Sequence, residues 1–158
     1  MRSYVVEQGG GYLGICAGAY LATEGLPYSL GLIPECHIWR HALWGKGEHL
    51  KGNLGLSLSS ESREAFDTEI EHSFECPYNN GALFDSSELP VHVAVFATIA
   101  QGIGSAKQKD ALRNKAVIIV GETTTCAPRP SFKKGKIILS GCHIERDVAT
   151  ARGLRGVL

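Results

Sequence analysis

Tyr12-Leu13-Gly14-Ile15-Cys16-Ala17-Gly18-Ala19-Tyr20-Leu21-Ala22 is the stretch on which the reading of this chain turns. Tyr12 to Ile15 is a short apolar run ending at a cysteine. Small residues and good helix formers follow from Ala17. That order predicts a buried strand, a sharp turn at Cys16 and a helix from Ala17 to about Glu24. A nucleophile at such a corner is lifted above a sheet at the start of a helix, and the surrounding glycines and alanines remove side chains that would block the turn. The helix start favours a thiolate and offers backbone N–H groups to a developing oxyanion. A cysteine ending an apolar strand is also commonly a core residue, so on these residues alone both readings stand.

Outward from this stretch, Arg2 to Gln8 reads as the end of a helix, stopped by Gly9-Gly10-Gly11. Gly25 to Gly52 is rich in turns and carries Tyr28, His37, Trp39, His41 and Trp44. Strands are expected at Leu54–Leu58 and Ile70–Cys76, with Pro77-Tyr78-Asn79-Asn80-Gly81 as a turn. The apolar run His92–Ala100 predicts another strand, and Ser105 to Arg113 a helix. Ala116–Val120 is a continuous β-branched run of the central-strand type. A loop is expected from Gly121 to Phe132, a strand at Lys136–Ser140 and the start of a helix at Asp147 to about Arg152.

The 158 residues suffice for one domain with a real core. Hydrophobic residues make up 44% and charged residues 20%, as in ordinary soluble chains. Sixteen basic residues balance sixteen acidic ones, which gives no electrostatic reason to expect a nucleic-acid or anionic-membrane partner. No apolar run approaches the roughly 18 residues of a membrane-spanning helix. MRSYVVEQGGG lacks an apolar signal core, so the expected location is cytoplasmic. The five cysteines, Cys16, Cys36, Cys76, Cys126 and Cys142, form an odd, widely spaced set. That argues against a disulfide framework, and the lack of a CxxC pair argues against a zinc ribbon.

A cysteine nucleophile needs a base and a group that orients the base. His143 and Glu145 offer both directly after the strand Lys136–Ser140. If that strand lies beside the Cys16 strand in a parallel sheet, thiol and imidazole meet at one sheet end, and the carboxylate fixes the imidazole tautomer. Alone, a His-x-Glu on a solvated loop is a weak signal.

GGGYLGICAGAYLA followed by SGCHIE resembles the class I glutamine amidotransferase-like superfamily, whose members carry a Gly-x-Cys-x-Gly elbow and a late His-Pro-Glu. YVVEQGGGYLGICAGAYLA, the turn Tyr78-Asn79-Asn80-Gly81-Ala82-Leu83-Phe84, and GKIILSGCHIE resemble more narrowly the N-terminal domain of biotin–protein ligases and its stand-alone bacterial relatives. The three blocks run in the family's order from Tyr4 to about Glu145. The resemblance implies one α/β domain over residues 1–158, a flavodoxin-like three-layer sandwich with a mostly parallel sheet. It implies Cys16 as nucleophile, His143 as base, Glu145 as orienting acid and the Ala17 N–H as an oxyanion donor. Gly14, Asn79, Asn80 and Gly81 are the implied substrate-binding positions.

Two departures accompany the resemblance. Ile144 stands where the family has proline, which loses a rigid turn but no reactive group. The family also carries an earlier strand–helix–strand portion with a Gly-Gly loop that gives a second oxyanion donor, whereas this chain starts almost on the elbow. The expectation is therefore an N-terminally truncated domain whose exposed sheet edge needs a second copy or a partner chain. The Gly-Arg-Gly-Arg-type loop of biotinyl-adenylate chemistry is absent.

Other signals are weaker. Cys36, His37 and His41 suggest a metal site, but Pro34 and the aromatic context read as a loop and no carboxylate pair completes the set. Gln101-Gly102-Ile103-Gly104 starts like a dinucleotide fingerprint, yet Lys107 stands at its third glycine position. No cofactor and no metal is expected. The reading is a Cys-His-Glu amidase or amidotransferase-like hydrolase acting on a small-molecule amide. The alternatives are a non-catalytic binding or regulatory domain and a metal-dependent hydrolase.

Overall fold

The computed structural model describes residues 1–23, 27–39, 49–60, 62, 73–123 and 134–146. Helix α1 spans Arg2–Gln8 and ends at Gly9, whose φ of 73° is the left-handed cap that glycine adopts without strain. Strand β1, Tyr12–Ile15, leads through Cys16 into α2, Ala17–Ala22. The remaining strands are β2 Lys51–Leu58, β3 Ser73–Asn79, β4 Val93–Gln101, β5 Ala116–Glu122 and β6 Lys136–Ser140. Helix α3, Ala106–Leu112, begins with a capping box in which the Ser105 hydroxyl accepts from the Gln108 N–H and the Gln108 side chain accepts from the Ser105 N–H. Gly104 takes a φ of 89° immediately before that cap, so the dinucleotide-like glycines serve a turn.

The six strands form one sheet in the order β1-β6-β5-β4-β2-β3. Among the described residues only β1 and β6 run parallel, with Ile15 opposite Ser140. The β6–β5, β5–β4, β4–β2 and β2–β3 pairings are antiparallel. The sheet is mixed, curls into a half-barrel and carries few helices. This corrects the expectation of a flavodoxin-like three-layer sandwich with a mostly parallel sheet. That expectation came from the family resemblance, and the strand pairing overturns it. Ala116–Ile119 is buried throughout because both faces of β5 are covered, and burial says nothing of the neighbours' direction. Parallel neighbours need crossovers of a dozen or more residues, typically helical. The three described helices have six or seven residues each, too little to clad two faces of such a sheet.

Side-chain alternation on β6 divides the interior into two cores. Ile137 and Leu139 join Val5, Val6, Tyr12, Ala19 and Ala22 under α1 and α2. Ile138 faces Leu54, Leu56, Phe96, Ile99 and Ile118, where β2 and β4 curl back. The expected turn from Pro77 is also corrected: Pro77, Tyr78 and Asn79 continue β3, opposite Asn53, Gly52 and Lys51. Proline is tolerated there because β3 is an edge strand. Glu24, His41, Trp44, Cys126, the residues from Ile70 to His72, most of the Gly121–Phe132 loop and the helix expected from Asp147 lie outside the described residues. No described helix is long and apolar enough to cross a membrane.

Candidate functional site

The corner at Cys16 is built by small residues. A Cβ added at Gly14 would stand 2.7 Å from the Gly18 carbonyl oxygen, so strand and helix approach backbone to backbone. The Tyr12 hydroxyl donates to that carbonyl at 2.8 Å and ties the strand's start to the helix. Cys16 takes φ 51° and ψ −105°, a conformation that L-residues other than glycine rarely hold. Its own N–H donates to the Ser140 carbonyl at 2.7 Å, which extends the β1–β6 ladder by one bond beyond β1. The thiol is half-buried. Ala17 is the first residue of α2, and N–H groups in a first turn have no partner within the helix.

β6 delivers the second part. Because β1 and β6 are parallel, the chain leaving Ser140 emerges at the end of the sheet where Cys16 sits. His143 follows three residues later and begins a short 3-10 turn, Ile144–Arg146. The imidazole Nδ1 and the Glu145 Oε1 are 2.8 Å apart, with the histidine three-quarters shielded and the carboxylate half-exposed. Among the described residues, the Nε2 side of the ring makes no hydrogen bond.

The third part comes from the far edge of the sheet. The half-barrel carries the end of β3 onto the segment after β6. Tyr78 bridges to Cys142, and the His143 N–H donates to the Pro77 carbonyl at 2.7 Å. Two residues on, the Asn79 carbonyl accepts from the Cys16 thiol at 3.6 Å. Cys16 and His143 thus lean on the same short stretch, Pro77–Asn79. The crossing is tight: a Cβ on Gly81 would lie 1.7 Å from the Gly141 carbonyl oxygen, and one on Gly141 would lie 1.9 Å from that of Ala82.

Four substrate-binding positions were expected. Gly14 shapes the corner, and Gly81 is buried against Gly141. Asn79 offers its carbonyl to the thiol. The Asn80 side chain accepts from the Leu50 N–H at 2.6 Å and meets the His49 Nδ1 at 2.7 Å. Sequence reasoning missed Tyr20, Tyr78, Ser140 and Gly141. Tyr20 had a signal, since it lies four residues after Cys16 on a helix and so on the same face. Its hydroxyl donates to the Asn80 carbonyl at 3.0 Å. Tyr78 donates to the Gly81 carbonyl at 2.9 Å. Burial first, then the nearby Tyr20, Cys16 and Cys142, push its phenol well above the ordinary range. Cys36, from the metal alternative, is fully buried, and burial together with Glu35 pushes its thiol up to about 12. Among the described residues no cluster of three or more metal-ligating side chains occurs.

No protein-family model matches this chain, and no curated protein matches it either.

Proposed function

We propose that this chain is a cysteine-dependent amidase or amidotransferase-like hydrolase acting on a small amide, related to the N-terminal domain of biotin–protein ligases within the class I glutamine amidotransferase-like superfamily. One observation carries the reading. Cys16 sits in a strained conformation at a strand-to-helix corner, and the neighbouring parallel strand brings an oriented His143–Glu145 pair to the same sheet end. Strain of this kind costs on the order of 1–3 kcal/mol and tends to cluster at reacting centres.

The chemistry follows from these groups. His143 Nε2 takes the thiol proton while the sulfur attacks the acyl carbon. The Ala17 N–H faces the developing oxyanion. The C–N bond then breaks as the imidazolium returns the proton to the leaving amine, and a thioester remains on Cys16. Water, deprotonated by the same imidazole, hydrolyses it to the acid. Glu145 holds the ring through Nδ1, which leaves Nε2 for the proton.

An activated acyl ester tests this without knowledge of the substrate. Incubation with p-nitrophenyl acetate should place one acetyl group on Cys16, read by peptide mass spectrometry. Cys16→Ala should abolish the modification. His143→Ala should slow acylation about 100- to 10,000-fold, the range for a lost general base. Equal acylation of wild type and His143→Ala would refute the assignment. One observation favours the rival, a non-catalytic binding domain: the thiol's hydrogen bond goes to a backbone carbonyl and not to His143. That reading predicts no acylation above the rate of an unstructured cysteine peptide.

A further inference from the structure

Asn80 makes more bonds than a loop residue at the mouth of a site needs for its own sake. Its φ of 50° lies in the left-handed region, which asparagine tolerates better than most residues. Its N–H donates to the Leu50 carbonyl at 3.0 Å, and its Oδ1 accepts from the Leu50 N–H at 2.6 Å. With Oδ1 committed as acceptor, Nδ2 must be the donor to His49 at 2.7 Å, which places the His49 proton on Nε2. Its carbonyl accepts from the Tyr20 hydroxyl at 3.0 Å. Asn80 therefore joins three elements: the chain entering β2, the end of β3 and the helix that starts at the nucleophile.

The peptide fixed by these bonds is the one that follows Asn79, whose carbonyl accepts from Cys16. An S–H···O=C bond exists only while the sulfur keeps its proton. We propose that Asn80 is a positioning residue that aims the Asn79 carbonyl at Cys16 and holds the resting thiol away from His143. The sulfur is released when an incoming acyl group displaces it from the carbonyl, and its proton then passes to the Nε2 of His143. No covalent bond changes in this step. The inference rests on the reading of Cys16 as the reacting thiol.

The test is the rate of Cys16 alkylation by iodoacetamide in the 158-residue chain, with peptide mass spectrometry as readout. Asn80→Gly keeps the left-handed backbone and deletes the side-chain bonds, so Cys16 should react about fivefold faster, the scale of one ordinary hydrogen bond. Asn80→Asp retains both side-chain contacts, because a carboxylate accepts from the Leu50 N–H and from a His49 tautomer protonated at Nδ1. It should return the rate to within about twofold of wild type, whereas a purely structural role predicts no such rescue. Tyr20→Phe removes the hydroxyl's hold on Asn80 and should raise the rate in the same direction. It carries the test if Asn80→Gly does not fold. A Cys16 rate unchanged or slowed in the folded variants overturns the proposal. Acylation by p-nitrophenyl acetate separates the two readings. A protein that never acylates, yet whose alkylation responds to Asn80, loses the proposed reaction and keeps the clamp. One that acylates with no response to Asn80 loses the clamp alone.

Discussion

Gly81→Ala should be among the most damaging single-methyl changes in this chain. The new Cβ would stand 1.7 Å from the Gly141 carbonyl oxygen, where real contacts begin at 3.0 Å, so the two backbones must part by 1.3 Å. Both glycines are buried and the obstacle is main chain, so no rotamer change relieves it. Overpacking of this kind typically costs about 1–3 kcal/mol. Parting the crossing also strains the Tyr78–Cys142 bridge and the bond from the His143 N–H to the Pro77 carbonyl, each net about 0.5–1.5 kcal/mol. The expected loss is about 3–5 kcal/mol, or a fall in Tm of roughly 10 °C for a domain of this size. Urea and thermal unfolding followed by circular dichroism would measure it. Gly31→Ala is the control: its φ is 53° but nothing lies within 4 Å of the added Cβ, so only the backbone cost of about 1–2 kcal/mol applies. A Gly81→Ala protein no less stable than Gly31→Ala would refute the account of the crossing.

Four further outcomes are expected. Cys16→Gly should unfold at higher denaturant than wild type, by about 1 kcal/mol, because glycine relieves the φ of 51°, while acylation disappears; a less stable variant would contradict the strain. Gly14→Ala should destabilise by about 1–3 kcal/mol and lower acylation at Cys16, because its Cβ meets the Gly18 backbone at 2.7 Å; wild-type acylation would show that the corner tolerates a methyl. The Lys115 ammonium, then the Ser87 hydroxyl and N–H, hold the Asp85 carboxyl down at about 2. The contribution of this depressed carboxyl is therefore present above the unfolded value of about 3.9 and disappears as pH falls from about 4 to 2. Because solvent reaches this part-buried pair and screens it, Asp85→Asn, which keeps the Oδ1 acceptor for Ser87, should cost at most about 1 kcal/mol at pH 7 and almost nothing near pH 2; a loss of the same size at pH 2 would refute the ion pair as its source. The same Lys115 ammonium lies 4.8 Å from the centre of the Trp39 ring, so Lys115→Ala should exceed Asp85→Asn in cost at pH 7.

The local code of this chain was legible. Tyr12–Ile15 followed by Ala17–Ala22 reads as strand, corner and helix because apolar periodicity and small residues act over a few neighbours. Ser105 and Gln108 specify the start of α3 in the same way. The types of the candidate site residues, a thiol, an imidazole and a carboxylate, were also readable, since their chemistry does not depend on the fold.

Strand direction was not legible, because a buried Ala116–Ile119 run looks the same whether its neighbours are parallel or antiparallel. Nor was the third side of the site. Pro77 looked like a turn, and only the sheet order shows that it lies on an edge strand where a missing N–H does no harm. The curl of the sheet then lays Pro77–Asn80 against Cys16 and His143, in a contact that spans 63 residues of sequence at the thiol. Sequence determined which groups stand at the ends of the strands. Tertiary structure decided which ends meet, because curvature and pairing are properties of the whole sheet and not of any one segment.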